Sequence, residues 1–173
     1  MKDNRGFSLV EMVIVVAIIA VLSSATIAGL GYIWGTNVRS CANELKTAIG
    51  KTQITTMGKT ETTLHIYKDA TSGDYYKQEY IVNGLSAAPS SEDPQKIGSG
   101  LVDVQFRTFP SGTLISLSGG NSLDIQFDRS SGAQKKMTAG AGAGEYCDQI
   151  IVSFGSRKAN VVLVPATGKV YID

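Results

Sequence analysis

The chain has 173 residues, with 16 Lys and Arg against 15 Asp and Glu and a single His, for a formal net charge of +1 at neutral pH. A balance this even leaves no surplus of basic side chains to recommend nucleic acid or anionic lipid as a general partner. Once an apolar N-terminal stretch is set aside, the remaining length suits one domain with its own core.

That stretch comes first in chain order. Residues 12–34 contain no charged side chain. The run is longer than the apolar part of a secretory signal, and no small-residue cleavage box follows it, so it is expected to stay on the mature protein. At about 1.5 Å per residue it reaches about 35 Å as a helix, enough to cross a hydrocarbon layer of about 30 Å with some tilt. Lys2 and Arg5 flank its start, which places the N-terminus inside and the rest of the chain outside. Glu11 is the anomaly. A carboxylate at the centre of a bilayer is disfavoured by roughly 2.5 kcal/mol or more, so Glu11 needs an interfacial position or a positive partner.

A basic leader ending in Gly6, then Phe7-Ser8-Leu9-Val10-Glu11, then an unbroken apolar run, resembles the signature of type IV pilins and pseudopilins. The resemblance implies scission of the Gly6–Phe7 bond by a membrane prepilin peptidase on the cytoplasmic side, followed by methylation of the new Phe7 amine. Gly6 suits that chemistry because it leaves the backbone unhindered. It also implies that Glu11 serves assembly, by pairing with an N-terminal amine. The implied partners are other pilins or pseudopilins, an inner-membrane assembly platform with a separate ATPase, and membrane lipid before assembly. Removing residues 1–6 takes Lys2, Asp3 and Arg5 away and leaves the charges balanced.

After the apolar run, Val38, Cys41, Ala42, Leu45, Ala48 and Ile49 recur at steps of three and four, with Arg39, Asn43, Glu44, Lys46 and Lys51 between them. This is an amphipathic stripe, so one long helix is expected to begin in the membrane and continue outside it to about Met57, where Gly58 is a stop. Gly29 and Gly31 are its weak points, each less favourable than Ala by roughly 1 kcal/mol. The divisions that follow are a leader over residues 1–6, a transmembrane or filament-core half of the helix over 7–34, an amphipathic half over 35–57, and a β-rich extracytoplasmic domain over 58–173.

From Thr62 the period changes to two. Leu64 and Ile66 alternate with His65 and Tyr67, residues 76–82 form a second run, and residues 69–74 between them read as a hairpin turn. Residues 83–100 have loop composition. Val102, Val104 and Phe106, then Leu123, Ile125 and Phe127, are the buried faces of two more strands, and further strands are expected over 150–154, 160–164 and 170–172. The fold class is α+β: a long N-terminal helix packed on one antiparallel sheet of six or seven strands. The run Phe127-Asp128 to Gly132, a strand ending Phe154-Gly155, and Val161 through Thr167-Gly168-Lys169-Val170 resemble in pattern the domain of H-type minor pseudopilins and similar minor pilins. That likeness covers about the last fifty residues, and residues 58–120 match neither signature.

Several apparent chemical cues fail on spacing. Gly50-Lys51-Thr52 and Gly58-Lys59-Thr60 lack the earlier Gly of a phosphate loop and read as surface lysines. His65 has no Cys or carboxylate cluster near it in sequence, so a solvent-facing ring is expected and no metal site. Asp69, Thr71, Gly73 and Asp74 do not have calcium-loop spacing, and no Ser has the flanks of a nucleophile elbow. Residues 139–144, alternating Ala and Gly, are too small-sided to pack a core and are expected to be mobile. Cys41 and Cys147 could meet as a disulfide in an oxidising exterior or stay as two buried thiols, and the residues leave both open.

The reading that follows is a noncatalytic filament subunit without cofactor or metal, a minor pilin or pseudopilin of a type IV pilus or type II secretion-like filament. It starts as a single-pass membrane protein with a cytoplasmic N-terminus and ends in a periplasmic or extracellular filament. Two alternatives stand beside it: a membrane-anchored extracellular binding module that does not polymerise, and a DNA-uptake minor pilin. The second has only Arg157, Lys158 and Lys169 as basic contacts near the terminal strand, which speaks against nucleic acid.

Overall fold

The computed structural model describes residues 8–58, 60–82, 90–118 and 120–173, with backbone alone for residues 24–34 and 82. One helix, α1 (Leu9–Met57), opens the chain. The chain divides into two compact units, Met1–Gly35 and Thr36–Asp173. In the second unit α1 buries the stripe read from the sequence: Val38, Cys41, Ala42, Leu45, Ala48 and Ile49 all lie in one core with the inner faces of the strands. Beyond Ile49 the buried face continues with Thr52 and Thr56, whose hydroxyls donate one turn back to Ala48 O at 2.9 Å and Thr52 O at 2.8 Å. Buried hydroxyls that satisfy themselves this way extend the stripe without an apolar side chain. The helix stops at Gly58, whose N–H donates to Ile54 O at 3.0 Å.

The strands are β1 (Glu61–Lys68), β2 (Tyr75–Val82), β3 (Ser90–Ser91), β4 (Gln95–Gly98), β5 (Asp103–Phe109), β6 (Leu114–Ser116), β7 (Ser122–Gln126), β8 (Tyr146–Phe154), β9 (Arg157–Val164) and β10 (Lys169–Ile172). All described pairings are antiparallel. The class is therefore α+β. The expectation of one sheet of six or seven strands is corrected to two five-stranded sheets, ordered β3-β2-β1-β7 with β4 also on β2, and β10-β9-β8-β5-β6. The missed strands are short and lack alternation. β3 and β4 lie in the segment read as loop, and β4 is drawn in by packing, because a Cβ on its Gly98 would sit 2.7 Å from Cys41 Sγ.

Within residues 139–144, expected not to pack a core, Gly142 is buried and the other five residues are exposed. Gly144 N–H donates to Met137 O at 2.8 Å, and Gly142 is buried so tightly that a Cβ there would lie 2.5 Å from Met137 Cε. The missing side chain is what lets Gly142 approach Met137 this closely.

Two remote segments meet at the end of α1. Asp128 closes a tight loop by accepting from Ser130 and Ser131 through both backbone N–H and hydroxyl, at 2.6–3.1 Å, and these bonds hold its carboxyl well below the usual carboxylate range. The Gly132 carbonyl at the end of that loop accepts from Gln53 Nε2 at 2.8 Å, and the same amide donates to Thr167 O at 3.0 Å. Gly168 must be Gly: its φ is +66°, and a Cβ would stand 2.1 Å from Gly132 O. The two turns singled out near the C-terminus thus clasp each other and Gln53.

Lys51 is not an idle surface lysine. Its Nζ lies 3.2 Å from Oε1 of Glu79, which is only 3% exposed, and 3.4 Å from Glu92 Oε2. Among the described residues neither Glu79 oxygen has a hydrogen bond of normal geometry, so Lys51 is the charge that compensates it. The same pairing raises the Lys51 pKa, although burial acts against it. Cys41 and Cys147 are both free and buried, so the bond left open from the sequence is not formed. Cys41 faces Gly98 of β4, whereas Cys147 lies in β8 opposite Thr108. Burial, with Glu44 adding to it, pushes the Cys41 thiol up to about 12, and burial with Asp148 raises Cys147 as well.

Two outcomes are expected. Lys51→Met should cost about 2 kcal/mol or more in denaturant unfolding, because it leaves a buried charge alone, and adding Glu79→Leu should restore most of that loss. Equal losses in the single and double variants would remove the ion pair as the cause. Both thiols of the folded protein should react with a thiol reagent at least about 100-fold more slowly than those of the unfolded chain, since an ionised, exposed thiol requires the core to open; fast labelling of the native protein would contradict the burial.

Candidate functional site

Gly6 and Phe7, the expected cleavage and methylation residues, lie outside the described residues. The description begins at Ser8, which is not helical and stands directly before Leu9, in the N-cap position of α1. Its carbonyl accepts from Met12 N–H at 3.2 Å, closing the first turn. Glu11 occupies the third helical position, so Ser8-Leu9-Val10-Glu11 has the spacing of a capping box. That spacing is a local signal, legible from four consecutive residues of the sequence. An acidic side chain in the first turn is also favoured by the positive end of the helix dipole, typically by 0.3 to about 1 kcal/mol. Glu11 is solvent-exposed within this chain, so its carboxylate is open to a partner.

From Leu9 to Leu22 the helix that Ser8 and Glu11 begin has no polar face. Leu9, Val10, Met12, Val13, Ile14, Val15, Val16, Ile18, Ile19, Val21 and Leu22 are all exposed, Leu9 by 80%. A helix apolar on every side is suited to burial in lipid or in a bundle, and the first unit supplies no such cover. Among the described residues no helix is long and apolar enough to cross a membrane, and the side chains of residues 24–34 lie outside the description. Chemically this segment offers one carboxylate at the head of an apolar rod.

The other expected site residues are dispersed. Arg157 and Lys158 begin β9, where they pair with Phe154 and Ser153, whereas Lys169 pairs with Val164 at its far end. Six residue steps of strand separate Lys158 from Val164, about 20 Å at about 3.3 Å each. The three cations therefore form no single patch. His65 corrects the expectation of a solvent-facing ring. It is 24% exposed between Tyr67 and Tyr80, and its Nδ1 donates to Asp124 Oδ1 at 2.5 Å across the β1–β7 pair. Sequence distance hid that partner; the register of β7 on β1 supplies it. Among the described residues no group of three or more His, Cys, Asp or Glu could hold a metal ion.

Residues 1–27 match the prokaryotic N-terminal methylation motif. Comparison with curated proteins and with solved structures gives no match. The matched segment contains the expected scission point, the N-cap Ser8 and Glu11, and runs into the apolar helix. The chain thus carries over residues 1–27 the class III prepilin signal found in type IV pilins and pseudopilins.

Proposed function

We propose that this protein is a minor, noncatalytic subunit of a type IV pilus or a type II secretion-like filament. The observation that carries the reading is the apolar rod from Leu9 to Leu22, exposed all round and headed by Ser8 and Glu11 directly after the Gly6–Phe7 bond. Residues 7–34 hold the precursor in the membrane with its N-terminus cytoplasmic, and then enter a bundle of other pilins' helices. Residues 35–57 carry the amphipathic stripe, and residues 58–173 form the domain that faces outward. An inner-membrane platform with its own ATPase drives the transfer. The separation of Arg157 and Lys158 from Lys169 speaks against a DNA-uptake role.

Glu11 drives assembly in this scheme. After scission Phe7 carries a positive amine in the apolar layer, and Glu11 carries a negative charge in the same setting; each alone is costly there. An incoming subunit's amine meets the Glu11 of a subunit already in place, so both charges are neutralised only in register. Pairing within one chain competes, since the two residues are one helical turn apart.

Mass analysis of the N-terminus in native cells should find a chain starting at N-methylated Phe7; one starting at Met1 would end the proposal. Glu11→Ala should leave cleavage and membrane insertion intact but lower recovery in sheared filaments, and Glu11→Asp should do so in part. Recovery of Glu11→Ala at the wild-type level would show that the pairing is not needed for this subunit.

A further inference from the structure

The second sheet forks at one end. β8 and β9 pair from Phe154 opposite Arg157 to Gln149 opposite Val162, and no further. Beyond that point Gln134 takes over. Its backbone N–H donates to Pro165 O at 2.8 Å, while its buried amide, in the orientation that satisfies its partners, donates to Cys147 O at 2.8 Å and accepts from Cys147 N–H at 3.1 Å. One side chain thus supplies the ladder that β9 leaves, and it props the two strands apart.

The fork encloses a cleft of about 410 Å³. Phe109 and Tyr146 form one wall and Val164, Pro165 and Ala166 the other, over a floor of Ala133 and Gln134. The volume lies in the range of small-molecule sites, about 300–1,000 Å³. Phe109 is 51% exposed at the rim, an aromatic ring that its own core does not use.

Charge gives the cleft its selectivity. Lys136 Nζ lies 5.8 Å from the centre of the Tyr146 ring, on one wall. Lys169, exposed in β10, stands directly across from Val164 of the other wall. Each acid next to Tyr146 and Cys147 has a donor of its own. Glu145 accepts from Ser111 Oγ at 2.6 Å, which keeps its carboxyl below the usual range with Lys136 adding to the effect, and Asp148 takes a bidentate bond from Arg107 at 2.8 and 3.0 Å. An apolar slot with Lys136, shared with Glu145, on one side and Lys169 on the other complements one kind of molecule.

We infer that this cleft binds an amphipathic carboxylate, with an aromatic or short alkyl group between the Phe109–Tyr146 and Val164–Ala166 walls and the carboxylate directed to Lys136 and Lys169. The site is independent of the filament reading, because none of its residues belongs to the N-terminal segment.

The test uses the full chain in zwitterionic phosphatidylcholine nanodiscs, with 3-phenylpropionate as probe and 3-phenylpropionamide as its neutral counterpart, followed by NMR. Saturable shifts are expected at Tyr146, Val164 and Ala166, with the carboxylate bound about threefold or more tightly than the amide, as exposed ion pairs allow. Lys136→Gln with Lys169→Gln should abolish that preference. Ala166→Trp should fill the slot and weaken both ligands at least tenfold. No saturable shift at these residues, or equal affinity for carboxylate and amide in the unsubstituted protein, would overturn the inference. Should Ala166→Trp fail to fold, as its melting would show, the carboxylate–amide comparison and the double lysine variant decide alone.

Discussion

Six apolar side chains of α1, from Val38 to Ile49, sit in a single core with residues from both sheets, and the positions of the remaining elements in the second unit follow from what that helix face can accept. Three of the six are Ala or Cys, so the strands can approach closely, and Gly98 of β4 does so to within van der Waals reach of Cys41. Further along, the face turns polar yet stays buried through Thr52 and Thr56, and there the sheet answers with Glu79 and the C-terminal turns with backbone carbonyls. A helix surface that changes from apolar to hydroxyl to amide in this order admits one register of the elements packed on it. Sliding β2 by one residue would turn Glu79 away from Lys51 and Leu64's neighbourhood toward solvent.

Polar side chains in this domain are spent on holding segments together. Gln53 joins two turns distant in sequence, Gln134 substitutes for a strand, and Lys51 neutralises a buried carboxylate. Each is a donor with more than one partner, and this is how short strands and loops are fixed without disulfides. The two thiols are buried and packed as small apolar groups.

The first unit obeys the opposite logic. From Leu9 to Leu22 no face of the helix is polar, and none is covered by its own chain, so its free energy depends on what surrounds it. Ser8 and Glu11 have capping-box spacing at its start, and the helix begins at Leu9, within the segment that matches the methylation motif. A carboxylate there serves the local helix through its dipole and remains exposed to a partner's charge.

How much of this was legible depends on the range of the interaction concerned. The stripe from Val38 to Ile49, the stop at Gly58, the hairpin of β1 and β2 and the alternation in β5, β7, β8 and β9 are written in periods of 3.6 and 2, because local burial imposes them residue by residue. The N-terminal signal was equally plain, since a peptidase reads it as a linear segment, and the capping spacing from Ser8 to Glu11 lay within it. Division into two sheets, the strands β3, β4 and β6, the packing of Gly142, the Asp124 partner of His65, the clasp on Gln53 and the fork at Gln134 were decided only by tertiary structure. Each joins residues far apart in the chain through one or two contacts, and a contact of that kind leaves no periodic trace in the sequence.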